Sequence, residues 1–288
     1  MGFDALIDSA WADHADRAQE VADRIAASLH LVQEPAQAAP FARLLAHVLG
    51  EHLGQWHTGI SLLEALQRLP ACADAAAIAA IAQHISTLRY CAGDKSAVAA
   101  LPVDARVAAL ADAASMLSGR GEFKAALAAY EDALRVASVD LADRSPAIRS
   151  LAVGGNNLAQ ALEDKPDRDA AETAGMVMAA EKALHYWRLA GTWLEHERAE
   201  YRLARSRLAA GQPTPALQII ERCIAICEGN DAPPFERFFG HAVMALAQRA
   251  AGDSAGFENS RARALALYAQ VPAEERVWCE AELKELGS

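Results

Sequence analysis

The stretch GEFKAALAAYEDAL, Gly121 to Leu134, decides how the rest of the chain is read. A glycine opens it, Phe123 follows two residues on, and small and large side chains then recur at helical intervals as Ala126, Tyr130 and Ala133. Residues three and four apart share one side of an α-helix, so this is a helix whose packing side holds alanines around one large ring. Gly121 precedes it because a tight turn between antiparallel helices needs a backbone conformation that glycine adopts without a Cβ clash. The alanines let another backbone approach closely beside the Tyr130 ring.

Weaker copies lie on both sides. Gly54-Gln55-Trp56 with Leu63 and Leu66 has the same order, as does Gly211 with Ala216, Ile220 and Cys223, preceded by Leu203 and Ala204. Gly252 with Phe257 and Ala264 makes a poorer fourth, and Asn156-Asn157-Leu158-Ala159 reads as the first helix of such a pair, with Asp164-Lys165-Pro166 where the turn glycine would stand. Together these segments resemble the tetratricopeptide repeat family in degenerate form. The resemblance implies an all-α fold, a right-handed α-α superhelix (a solenoid of helical hairpins), with 1–288 as a single array. Its parts would be an N-terminal helix or cap over 1–35, degenerate hairpins over 36–102, tetratricopeptide-like hairpins over 103–272 and a C-terminal capping helix over 273–288. The chain departs from the family in spacing, since several units run to roughly 40–46 residues against about 34. The unit from Cys91 to Leu101 also has little room for a second helix before Pro102. An irregular helical bundle is the alternative architecture.

Prolines punctuate the pattern, and all eleven fall between helical stretches or in a first helical turn, where a missing N–H costs nothing. Apolar periodicity predicts helices over 4–31, 40–52, 55–69, 73–91, a short one near 95–100, then 103–119, 122–138, 146–164, 168–190, 193–210, 215–228, 235–251, 254–270 and a last one near 273–286. Ser145-Pro146 and Thr214-Pro215 each pair a capping hydroxyl with proline at the first helical position. Thr192 and Glu195 have capping-box spacing. Trp187 and Trp193 are expected to close a hairpin joint, and Trp278 and Leu283 to turn inward from an acidic C-terminal cap.

Composition supports the helical reading. Apolar residues make up 53% of the chain but aromatics only 6%, so alanine and leucine carry the core. A net charge of -11 repels phosphate backbones and anionic lipid, which argues against nucleic acid and membranes as partners. MGFDALIDSAWADHAD carries four aspartates and does not read as a signal segment. The odd, scattered cysteines (Cys72, Cys91, Cys223, Cys227, Cys279) suit a reducing cytoplasm, and the alanine bias points to a bacterial source.

No chemistry-bearing motif is complete. HVLGEH, His47 to His52, resembles the inverted zinc-protease motif but places three residues between its first histidine and the glutamate where that motif has two. On an α-helix His52 would sit about 100° from the side shared by His47 and Glu51. With His57 this cluster reads as a polar helix surface, and no metal or other cofactor is expected. Cys223 and Cys227 lack the spacing and second ligand pair of a zinc or redox site. His185-Tyr186-Trp187, His196 and Gly154-Gly155 come without a nucleophile elbow or phosphate loop, so no catalytic residue is assigned and the chain is read as a non-enzyme.

The resemblance places the inner surface of the array on first-helix positions, which gives Asn156, Gln160, Arg198, Tyr201, Arg205, Phe239 and Arg249 as candidate peptide-binding residues. Arginine, tyrosine and asparagine suit an acidic segment or a C-terminal carboxylate of a partner protein. Alternatively, these arginines pair with Glu195, Glu197 and Glu200 on an exposed helix. The expected function is a cytoplasmic protein- or peptide-binding scaffold or adaptor; the alternative is a peptide-responsive signalling regulator acting through a partner protein. A homodimer through the apolar helix from Phe3 to Leu31 is open, as is the folding-back of that helix as a cap.

Overall fold

A computed structural model describes residues 2–287, which form helices and connecting turns with no strand among them. The chain divides into two compact units, 1–154 and 155–288.

The first unit contains α1 (Phe3–Asp13), α2 (Ala18–Ala26), α3 (Pro35–Ala46), α4 (Trp56–Gln67), α5 (Ala75–Cys91), α6 (Val103–Gly119) and α7 (Phe123–Asp140). It ends within α8 (Ala147–Asp164). Start signals act as their chemistry demands. Asp74 accepts the amides of Ala76 and Ala77, both at 2.8 Å, and the Ser145 hydroxyl accepts that of Ala147 while donating to Asp104. The α6–α7 hairpin turns at Gly121 with φ +75°, and Gly54, Gly211 and Gly252 share that left-handed conformation. Tyr130 is fully buried between Ala126 and Ala133, and its hydroxyl donates to the Leu151 carbonyl of α8 at 2.9 Å. The ring thus joins one hairpin to the next, with its polar end satisfied.

Several expected boundaries are corrected. The helix expected over 4–31 is broken: α1 and α2 are separate, and Arg24 donates to Asp13 across the break at 3.0 Å. Two short helices bury Leu6, Ala10, Val21, Ala22 and Ile25 in the unit's own core, which one straight stripe of that length would not do. The apolar side proposed for self-pairing is therefore used within the first unit. α3 starts at Pro35, not residue 40, and continues into a π turn over His47–His52, closed by a 3.2 Å bond from the Leu53 amide to the Val48 carbonyl. At Gly50 a Cβ would stand 2.9 Å from the Leu88 and Met116 side chains, which would have to shift to admit it, so glycine lets the turn lie close against α5 and α6. Residues 95–100 form turns, not a helix.

The second unit continues α8 and adds α9 (Ala170–Ala190), α10 (Trp193–Ala209), α11 (Pro213–Gly229), α12 (Pro234–Ala250), α13 (Ser254–Tyr268) and, after a short 3₁₀ turn over Arg276–Cys279, α14 (Glu280–Leu286). Consecutive helices from α9 to α13 pack against one another, and α14 returns onto α12. The last helices share a core cluster that includes Phe238, Ala242, Leu246, Ala264, Leu267, Cys279 and Leu286, with Leu283 packed against it. Thr192 and Glu195 form the expected capping box of α10. Thr214 does not cap: α11 begins two residues earlier than expected, at Pro213. Trp278 turns outward, 70% exposed, against the expectation that it would be inward. No helix among the described residues is long and apolar enough to cross a membrane.

Candidate functional site

The second unit holds a cleft of about 650 Å³ between the end of α8, α10, the start of α12 and the segment 275–282. On α10, residues 198, 201, 202 and 205 follow a three-and-four rhythm, so Arg198, Tyr201, Arg202 and Arg205 project from one side. Asn156 and Gln160 enter from α8 and Phe239 from α12. Six of the seven residues selected from the sequence thus line one cavity. Arg249 does not; its guanidinium lies 5.2 Å from the Phe257 ring centre and donates to the Glu285 carbonyl at 3.1 Å.

The arginines are not open. Arg198 forks onto both carboxylate oxygens of Glu236. Arg202 donates to Glu163 at 2.9 Å, and Arg205 to Glu163 at 2.8 Å and to both oxygens of Glu285 at 2.9 and 3.0 Å. Burial works against the charge on Arg205, but Glu163 and Glu285 outweigh it and hold the guanidinium firmly protonated. The Tyr201 hydroxyl bonds Glu282 of α14, and burial, then that carboxylate, push its pKa well above the usual phenol range. Expected pairings with Glu195, Glu197 and Glu200 are not those formed. Glu195 caps α10, and Glu200 receives Arg188 at 2.7 Å and Arg222 at 2.9 Å.

Glu197 is the unusual group. It is 1% exposed, its Oε1 accepts the Cys223 thiol at 3.2 Å, and its Oε2 has no donor. Burial, and next the Glu236 carboxylate, push its pKa up to about 7, against the pull of the Cys223 thiol and Arg198. Around it, six carboxyl groups (Glu163, Asp164, Glu197, Glu236, Glu275, Glu282) line the cleft beside three arginines. An aromatic wall completes it, with Tyr201 edge-on to Phe239 at 5.6 Å, Phe235 edge-on to Phe239 at 5.1 Å, and Trp278 at the rim. Sequence reasoning missed Glu163, Glu236, Phe235 and Trp278, which reach the cleft from distant parts of the chain. No spacing signal joins them to α10.

The catalytic motifs weighed in the sequence do not converge. Cys223 and Cys227 are buried within α11, the His185 ring lies edge-on to Tyr186, and His196 lies beside Arg188, Glu200 and Arg222 in a separate cavity. Gly154 sits inside α8, where a Cβ would stand 3.0 Å from the Ala111 carbonyl; its role is a close helix crossing.

Paired helices, left-handed glycine turns and small residues at the crossings define a tetratricopeptide-like, all-α solenoid of helical hairpins. A kinesin light chain-like protein of Podosopora anserina with nearly identical TPR-like repeats superposes with a TM-score of 0.54 at 16% identity, covering 82% of this chain and 97% of that one. BtubC (BKLC) of P. vanneervenii gives a TM-score of 0.50 at 18% identity, covering 93% and 92%. At such identities the likeness concerns the fold alone. No family model matches the chain, and no curated protein matches it by sequence.

Proposed function

We propose that this chain is a non-catalytic protein-interaction scaffold that takes a segment of a partner protein into the cleft of its second unit. Hairpin arrays of this fold present extended surfaces suited to such binding. The observation that carries the reading is the cleft lining, in which carboxyl groups outnumber arginines two to one beside an aromatic wall.

That lining favours a partner of the opposite charge to the one the sequence suggests. An acidic segment or C-terminal carboxylate reaches Arg205 only by displacing Glu163 or Glu285, which then lose charge-assisted bonds, and at Arg198 it shares a guanidinium already forked onto Glu236. A lysine or arginine of the partner meets Glu197, Glu236 and Glu275 and satisfies the Glu197 Oε2. An adjacent apolar side chain packs on Phe235, Phe239 and Trp278. Aromatic anchors beside a desolvated charge are the usual centres of binding energy.

The test is selection of a displayed peptide library on the full chain, followed by fluorescence anisotropy of the enriched peptides. Peptides carrying a basic residue next to an apolar one are expected. Trp278→Ala and Glu275→Lys, both at exposed or half-exposed positions, are each expected to weaken them by roughly tenfold, a loss of about 1.4 kcal/mol. Enrichment of acidic peptides sensitive to Arg198→Glu would restore the partner expected from the sequence. Binding unaffected by all three substitutions would remove the cleft as the site.

A further inference from the structure

Three histidines of the first unit meet at one point, two of them close in the chain and the third, His14, distant from both. His14 follows α1, and His47 and His52 open and close the π turn after α3. One ring nitrogen from each lies within 4.8 Å of the other two. The rings form a triangle with centres 4.7 to 5.0 Å apart, half-exposed so that solvent reaches them. In an α-helix residues five apart point about 140° away from each other. The wider π turn removes that divergence, and such turns are frequent at functional sites. His57, the fourth ligand type noted in the sequence, is exposed and stays outside the group.

The remaining ring atoms show which nitrogens are free. His14 Nδ1 lies 2.7 Å from the Trp11 carbonyl, an acceptor only, so this nitrogen carries the proton. His47 Nδ1 lies 2.9 Å from Glu51 Oε2, where a proton is held in the same way. In the neutral ring each therefore keeps its lone pair on Nε2, and that of His47 is taken by a hydrogen bond with His52 Nε2 whose proton a metal ion would replace. His47 Nε2 and His52 Nε2 stand 3.1 Å apart. Two nitrogens bound to one tetrahedral ion at about 2.0–2.1 Å would be roughly 3.4 Å apart. A carboxylate or carbonyl behind a ligating imidazole is the usual support that fixes its tautomer and orientation at a metal. Further contacts hold the frame. Arg120 Nη1 donates to the His52 carbonyl at 2.7 Å, and the Trp11 ring lies against His14 and His47 at 5.1 Å with the Arg43 guanidinium over it. Glu51 and nearby Asp112 offset the positive charge of Arg43 and Arg120.

We propose that His14, His47 and His52 bind one divalent transition-metal ion of the kind that prefers imidazole, zinc foremost, through nitrogens presented by the π turn and the end of α1. Glu51 and the Trp11 carbonyl are positioning groups. Three protein nitrogens leave a fourth position to water or to a group from a partner.

Cobalt(II) is the probe, added to the untagged full chain after chelator treatment, because tetrahedral imidazole coordination gives it visible absorption. One equivalent is expected to develop those bands, and one equivalent of zinc to bleach them. His14→Ala, His47→Ala and His52→Ala are each expected to abolish the bands, whereas His57→Ala leaves them unchanged. Glu51→Gln keeps the stoichiometry but weakens binding by about 10–100-fold. Circular dichroism checks folding; should the variants in the π turn unfold, His14→Gln, at the solvent-accessible end of α1, decides alone. Absence of bands at one equivalent, or bands that survive His14→Ala or His14→Gln, overturns the assignment and leaves three histidines packed ring on ring.

Discussion

Glu197 sits almost wholly out of water beside a second carboxylate, Glu236, and that placement has a consequence for stability. Its folded-state pKa, pushed up to about 7 by burial first and Glu236 next, lies above the value of an unfolded glutamate, near 4.3. The folded chain therefore keeps a proton that the unfolded chain releases. The associated stability is complete below the unfolded value and is lost as pH rises through it to about 7. Urea unfolding is expected to show a decline in stability between pH 4.5 and 7, and Glu197→Gln, which cannot ionise, to flatten it by on the order of 1–3 kcal/mol. A decline of unchanged size in the variant would assign the titration to another group. Of all this, the sequence shows only a glutamate flanked by His196 and Arg198; the crowding comes from α11 and α12.

At the scale of elements, the hairpin turns decide how helices pair. Gly121 adopts φ +75° in open space, with nothing within 4 Å of where a Cβ would stand. The cost of Gly121→Ala is then backbone strain alone, expected at about 1–2 kcal/mol in denaturant unfolding. A loss near zero would mean that the turn relaxes into another conformation. These turns were legible because their requirement is local: glycine tolerates a left-handed residue and other side chains do not. The π turn was not legible. Nothing within HVLGEH marks an added residue; it arises where Gly50 lies against Leu88 and Met116. The break between α1 and α2 was hidden for the same reason, since the burial of Leu6 and Ile25 depends on the helices they meet.

Across the whole molecule, all five cysteines are free and buried. Burial pushes the Cys91 thiol up to about 12 and the Cys279 thiol up to about 11, and it raises Cys72 as well. Cys223 is also raised well above the usual thiol range, by its bond to Cys227 and then by burial. Thiolate is the reactive form, so the folded chain is expected to react negligibly with a thiol reagent at pH 8, and the denatured chain to release five equivalents. Fast reaction of the folded chain would show that one of these helices opens readily.

The sequence by itself determined the all-α class, most helix bounds from 55 onward, the left-handed glycine turns and the burial of Tyr130, because periodicity, capping and turn chemistry act over a few residues. It also determined which side of α10 carries Arg198, Tyr201 and Arg205. Only the tertiary structure decided what those side chains face. Glu163, Glu236 and Glu285 close on the arginines from positions 38 to 80 residues away, and His14 joins His47 and His52 across two helices. Charge and coordination depend on distance in space, and no local pattern in the chain encodes such distances.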